Sequence, residues 1–148
     1  MVWWQVTGLC FFTGIAHFSM GAVFHVAVPL LFPSVALEYE NHALFRPWAG
    51  WTRTYMLIHP FAFGAVFTLI YLLLQRSQGT AGPFMHALGG IRFGAVIFLV
   101  GSLPIFLLNL ASFNVSGKVI VVWTTQNAIQ YLTAGLILGW LCPPAGSD

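Results

Sequence analysis

Four long runs of apolar residues alternate along the chain with segments that hold every charged side chain. A helix needs about 20 mostly apolar residues to cross the hydrocarbon core of a bilayer. Each run reaches that length, and the runs are Val6 to Phe32, Tyr55 to Gln75, Phe93 to Phe113 and Val119 to Cys142. The pattern predicts an all-α, integral membrane four-helix transmembrane bundle, built as a single four-span domain over residues 1–148.

The connections between these runs differ in length and character. The first, Pro33 to Thr54, predicts one longer interfacial loop, in which Ser34 would cap a short helix that reaches Phe45. The second, residues 76–92, is rich in turn-forming residues. The third, residues 114–118, is tight, so we expect the last two helices to form an antiparallel hairpin. Four crossings would place the first and third connections on the same side of the membrane.

Composition agrees with a lipid environment. The chain is 59% hydrophobic and only 5% charged, whereas a soluble domain carries about 25% charged residues. The net charge of +2 has no basic cluster behind it, which excludes nucleic acid as a partner. The partners we expect are the lipid bilayer and other membrane subunits, or further copies of the chain as an oligomer, because 16% of the residues are aromatic and suited to packing.

Targeting features favour a retained first helix in a bacterial inner membrane. The first run is far longer than the apolar core of a signal peptide, about 7–15 residues, and no Lys or Arg precedes it. The connection that holds Arg76 and Arg92 contains no acidic residue, so we expect it and both termini on the cytoplasmic side.

Histidines and amides inside the apolar runs are the candidate chemistry. His17 and His25 share a helical stripe with Gly14 and Gly21, which predicts that both imidazoles face protein or a cofactor. Counted from the ends of the runs, His25 lies about 10 Å deep and His59 about 6 Å deep on the same side. Counting likewise puts three amides in that half of the bundle: Asn109, Gln126 and Asn127. The predicted cofactor-binding residues are His25, His59, His17, Asn109 and Asn127.

Three interpretations of these residues remain open. Two imidazoles at matching depth, His25 and His59, would suit the iron of a haem b, and a single one would suit the magnesium of a chlorophyll-type pigment. A metal site is the second interpretation, and its ligands would be His25, His59, His42, Glu38 and Glu40. In the third, each histidine and amide makes hydrogen bonds between helices and only stabilises packing.

Function is therefore predicted as a set of hypotheses. The sequence has no metalloprotease, hydrolase or phosphate-loop motif, and no acidic residue lies in the apolar runs. The first hypothesis is a non-catalytic subunit of a respiratory or photosynthetic membrane complex that holds haem or a pigment through histidine. The alternatives are a stand-alone transporter or small-molecule or quinone-binding membrane protein, and a metal-dependent membrane enzyme.

Overall fold

A computed structural model describes residues 2–41, 43–46, 49–75 and 83–142. Within these ranges the regular structure is entirely helical. The five helices are α1 (Trp3–Leu31), α2 (Pro33–Tyr39), α3 (Trp51–Gln75), α4 (Pro83–Ser112) and α5 (Gly117–Leu141).

Three of these helices are long and apolar enough to cross a membrane: Trp3–Leu31, Trp51–Leu74 and Met85–Ser112. They indicate a membrane protein. Helix α5 is 25 residues long, as is α3, but it is not among the three. The physical reason is its central segment, residues 124–130, where two threonines and three amides lower the hydropathy of a helix that is otherwise apolar.

The bounds of α4 and α2 differ most from the sequence-based expectation. Helix α4 begins at Pro83, ten residues before Phe93, so His86 and Arg92 belong to a helix and not to a loop. The short helix α2 starts with Pro33 at its first position and ends at Tyr39, so the predicted cap at Ser34 and the extension to Phe45 are wrong. Proline suits the first helical position because its fixed φ matches the helix and its missing N–H would have no partner there.

Small residues determine which helices pack most closely. A Cβ added at Gly64 of α3 would lie 2.5 Å from the carbonyl oxygen of Cys10 and 2.8 Å from the Cα of Gly14, both on α1. A Cβ at Gly135 of α5 would lie 2.9 Å from the carbonyl carbon of Gly90 on α4. Backbones this close leave no room for side chains, so α1 pairs with α3 and α4 pairs with α5.

The two ends of the bundle have different interiors. Towards one end, a purely apolar and aromatic cluster joins α1, α3 and α5, and Phe93 of α4 packs against it. Its buried residues are Leu9, Phe67, Tyr71, Ala134, Leu138 and Cys142. Towards the other end, α2 and the segment that follows it (residues 43–46) close over the bundle. Beneath them lie a second apolar cluster, with Val28, Val35, Val119 and Val122 as its buried residues, and a cavity whose wall includes polar side chains.

The first and third connections meet at this second end, as predicted from the sequence. Glu38 of α2 accepts a hydrogen bond from the backbone N–H of Ser116 in the turn between α4 and α5. The ring of Phe45 makes an edge contact with Trp123 of α5, with the ring centroids 6.0 Å apart. These contacts hold α2 and its following segment over α1 and α5.

Candidate functional site: a polar cavity between α1, α3 and α5

A cavity of about 990 Å³ lies between α1, α3 and α5, beneath α2 and the segment that follows it. This volume is at the upper end of the range of small-molecule sites, roughly 300–1,000 Å³. Aromatic and aliphatic side chains form most of its wall. Its polar or charged residues are His17, His25, Tyr39, Glu40, Arg46, Thr52, Arg53, His59, Trp123, Gln126 and Gln130.

His17 forms the innermost part of the wall and is only 4% exposed. Its ring lies between Phe63, at a centroid distance of 4.0 Å, and His59, at 5.2 Å with an interplanar angle of 68°. Neither ring nitrogen has a hydrogen-bond partner among the described residues. A buried imidazole without a partner is unusual in a folded protein, and it suggests that a water or a ligand completes the site.

The packing register brings His17, not His25, level with His59. Gly14 packs against Pro60 and Phe61, and the next helical turn of α1 carries His17 against His59. His25 is eight residues further along α1, or about 12 Å by the helical rise. It lines the same cavity, but closer to the end covered by α2. The expected equal depth of His25 and His59 is therefore not observed.

Helix α5 contributes two amides that were not among the predicted site residues. Gln130 is 4% exposed, and its side-chain Nε2 donates a hydrogen bond of 3.1 Å to the backbone carbonyl of His17. Gln126, one turn earlier, also lines the cavity. Both approach α1 at Gly21, where an added Cβ would lie 3.3 Å from Nε2 of Gln130. The periodicity of α5 groups its amides, but it does not show which of them faces α1.

The end of the cavity under α2 carries charge. Arg46 and Arg53 line it together with Glu40 and Tyr39. Burial raises the pKa of the Tyr39 phenol above its ordinary value, so this side chain is a neutral hydrogen-bonding group at physiological pH. Two guanidinium groups and one carboxylate thus surround the mouth, whereas the buried His17 and Gln130 lie deeper.

Several predicted residues lie elsewhere. Asn127 is on α5 but not in the cavity wall, and Asn109 is on α4, no described residue of which lines the cavity. Glu38 is hydrogen-bonded to Ser116, whereas Glu40 does line the cavity.

The predicted metal site includes His42, which lies outside the described residues. In the part of the chain that the structure describes, no three His, Cys, Asp or Glu side chains come together as a metal site would require. The metal ligands therefore stay a prediction.

Comparison of the chain with protein-family models, with curated proteins and with solved structures finds no match. The chemistry of the cavity is thus the guide to function. Histidine and glutamine side chains can donate hydrogen bonds to carbonyl or ether oxygens, and the aromatic residues offer flat apolar surfaces. Phe18, Phe24, Phe45 and Trp123 are the aromatic wall residues other than tyrosine. Such a site suits a small amphipathic molecule with a planar head that accepts hydrogen bonds.

Proposed function

We propose that the protein is a four-span integral membrane protein that binds a small amphipathic molecule of the quinone class in this cavity. The observation that carries the proposal is the buried His17 in the wall of a large cavity: its ring nitrogens have no hydrogen-bond partner among the described residues, and further hydrogen-bonding side chains line the same cavity. An unpaired buried polar group costs about 1–3 kcal/mol. A ligand that accepts or donates hydrogen bonds at this level would offset that cost if the imidazole turned one of its buried ring nitrogens towards the cavity.

The fourth crossing is part of the proposal and rests on α5. This helix has the same length as α3 and packs along both α1 and α4. Two of the three amides in its central segment, Gln126 and Gln130, line the cavity. A helix whose polar residues face a protein cavity can cross a membrane without exposing them to hydrocarbon. Arg46 and Arg53 would then lie at the level of the lipid phosphates.

A haem held between two histidines is less favoured by the same geometry. Each axial imidazole nitrogen must lie about 2 Å from iron, on opposite faces of the porphyrin. The rings of His17 and His59 make an edge contact instead, and α1 and α3 are in backbone contact one turn away at Gly14. His25 is about 12 Å further along α1. A haem or chlorophyll-type pigment on a single histidine, and a role as a subunit of a respiratory or photosynthetic complex, remain predictions.

Binding can be tested in lipid nanodiscs with a decyl-substituted dimethoxy-methyl-benzoquinone as the probe. We expect saturable binding, and we expect Gln126→Leu to weaken it about two- to tenfold, which corresponds to one hydrogen bond of about 0.5–1.5 kcal/mol. Asn127→Leu is the matched control, because Asn127 is the next residue of α5 but lies outside the cavity wall. Absence of saturable binding, or an equal effect of both substitutions, would contradict the proposal.

A further inference from the structure

A second, apolar cavity of about 680 Å³ lies on another side of the α1–α5 contact. It is formed by the last turns of α1, the start of α2 and the first turns of α5. Its wall includes the apolar side chains of Leu31, Val121 and Val122, and Lys118 lines it at the start of α5. We call it the apolar groove.

The apolar groove and the polar cavity share two wall residues, Phe24 and Val28 of α1. Val28 is buried, whereas Phe24 is only partly buried. The two spaces are therefore neighbours, separated over this stretch by one aromatic and one aliphatic side chain. A rotation of the Phe24 side chain about χ1 is the smallest change that would join them, and rotamer changes of incompletely buried side chains are fast.

The contrast between the two spaces matches the two parts of one kind of molecule. The polar cavity offers imidazoles and amides to a head group, and the apolar groove offers almost only hydrocarbon. Most of the wall of the polar cavity is aromatic or aliphatic, but a long tail left there would also cover its imidazoles and amides with hydrocarbon, which is unfavourable. A tail that passes Phe24 into the apolar groove avoids this and leaves the head beside His59 and Gln126.

We propose that the apolar groove binds the single apolar tail of the ligand whose head occupies the polar cavity, so that the natural ligand is a tailed quinone-type lipid. This inference rests on the proposed function, because it assigns the tail of the same ligand. The apolar groove would then favour ligands with a tail over ligands without one, and Phe24 would lie between the head and the tail.

The test fills the apolar groove without altering the polar cavity. Val121 is 54% exposed and lines only the groove, so Val121→Trp should fold and block it. Leu31→Trp does the same from the opposite wall. Val96→Trp is the control, since Val96 is 56% exposed on α4 and lines neither space. Two probes are compared in nanodiscs: the benzoquinone without a tail and its decyl derivative.

We expect both groove variants to weaken binding of the decyl compound about tenfold and to leave the tail-less compound within about twofold of wild type. The control should leave both affinities unchanged. Comparing each variant with wild type cancels the partition of each probe into lipid. If the groove variants affect neither probe, or both equally, the tail does not lie in the groove and the inference is wrong. If the wild-type protein binds neither probe, the proposed function itself fails.

Discussion

Replacing His17 by leucine should stabilise the ligand-free protein. The substitution removes the two buried ring nitrogens that lack partners among the described residues, which is worth about 1–3 kcal/mol. It also removes the ring contact with Phe63 at 4.0 Å, which costs about 0.5–1.5 kcal/mol. With the middle of each range, the gain exceeds the cost by about 1 kcal/mol, so the free energy of unfolding should rise by that amount. For a chain of 148 residues, this corresponds to a rise in Tm of about 2–4 °C.

The assay is reversible unfolding in mixed detergent micelles, followed by circular dichroism. Thr13→Val is the matched control on the same helix: Thr13 is fully buried, and its hydroxyl accepts a hydrogen bond of 3.2 Å from Thr68. Loss of that bond should destabilise the protein by about 1 kcal/mol. The two substitutions each replace a buried polar side chain by an aliphatic one, yet they should have opposite signs, because one polar group is paired and the other is not.

The same variant should lose ligand binding. A saturating ligand stabilises the folded state by about 2.7 kcal/mol when its concentration is one hundred times Kd. We expect the decyl benzoquinone to raise the Tm of the wild-type protein and to raise that of His17→Leu much less. If His17→Leu destabilises the ligand-free protein as much as Thr13→Val does, His17 is a paired structural residue and our account of the cavity is refuted.

Three further predictions follow from the packing and the cavity. Gly135→Ala should destabilise the protein by about 1–3 kcal/mol, because the added Cβ would clash with the α4 backbone. Gly8→Ala should instead stabilise α1 by about 0.5–1 kcal/mol, because no described atom beyond its immediate neighbours in α1 lies within 4 Å of the added Cβ. Chemical unfolding measures both effects. In a background without native cysteines, single cysteines at Lys118 and Trp140 should be labelled from opposite sides of the membrane, and labelling from one side would exclude the fourth crossing. The absorption spectrum of the protein in mild detergent should have no Soret band. If a Soret band is present and His59→Ala abolishes it, the ligand is a tetrapyrrole and not a quinone.

The helical fold and the apolar environment of the helices can be predicted from the sequence alone. Runs of 20 or more apolar residues without charge can form only helices in lipid, because each backbone polar group must be paired within its own segment. The tight third connection and the depth of the polar residues also predicted that one half of the bundle would be polar. The predicted start of α2 is wrong. Pro33 occupies the first position of this helix, so Ser34 lies inside the helix and is not its N-cap.

Which polar residues meet depends on how the helices pack against one another. Depth counted from the ends of the apolar runs predicts that His25 lies at the level of His59. In the structure, α1 and α3 pack backbone against backbone at Gly14 and Gly64. This register brings His17 next to His59 instead. The rotation of α5 against Gly21 likewise turns Gln126 and Gln130 into the cavity and leaves Asn127 out of its wall. The register and the rotation of two packed helices depend on where small residues of both helices allow close approach. They therefore cannot be predicted from the periodicity of one helix.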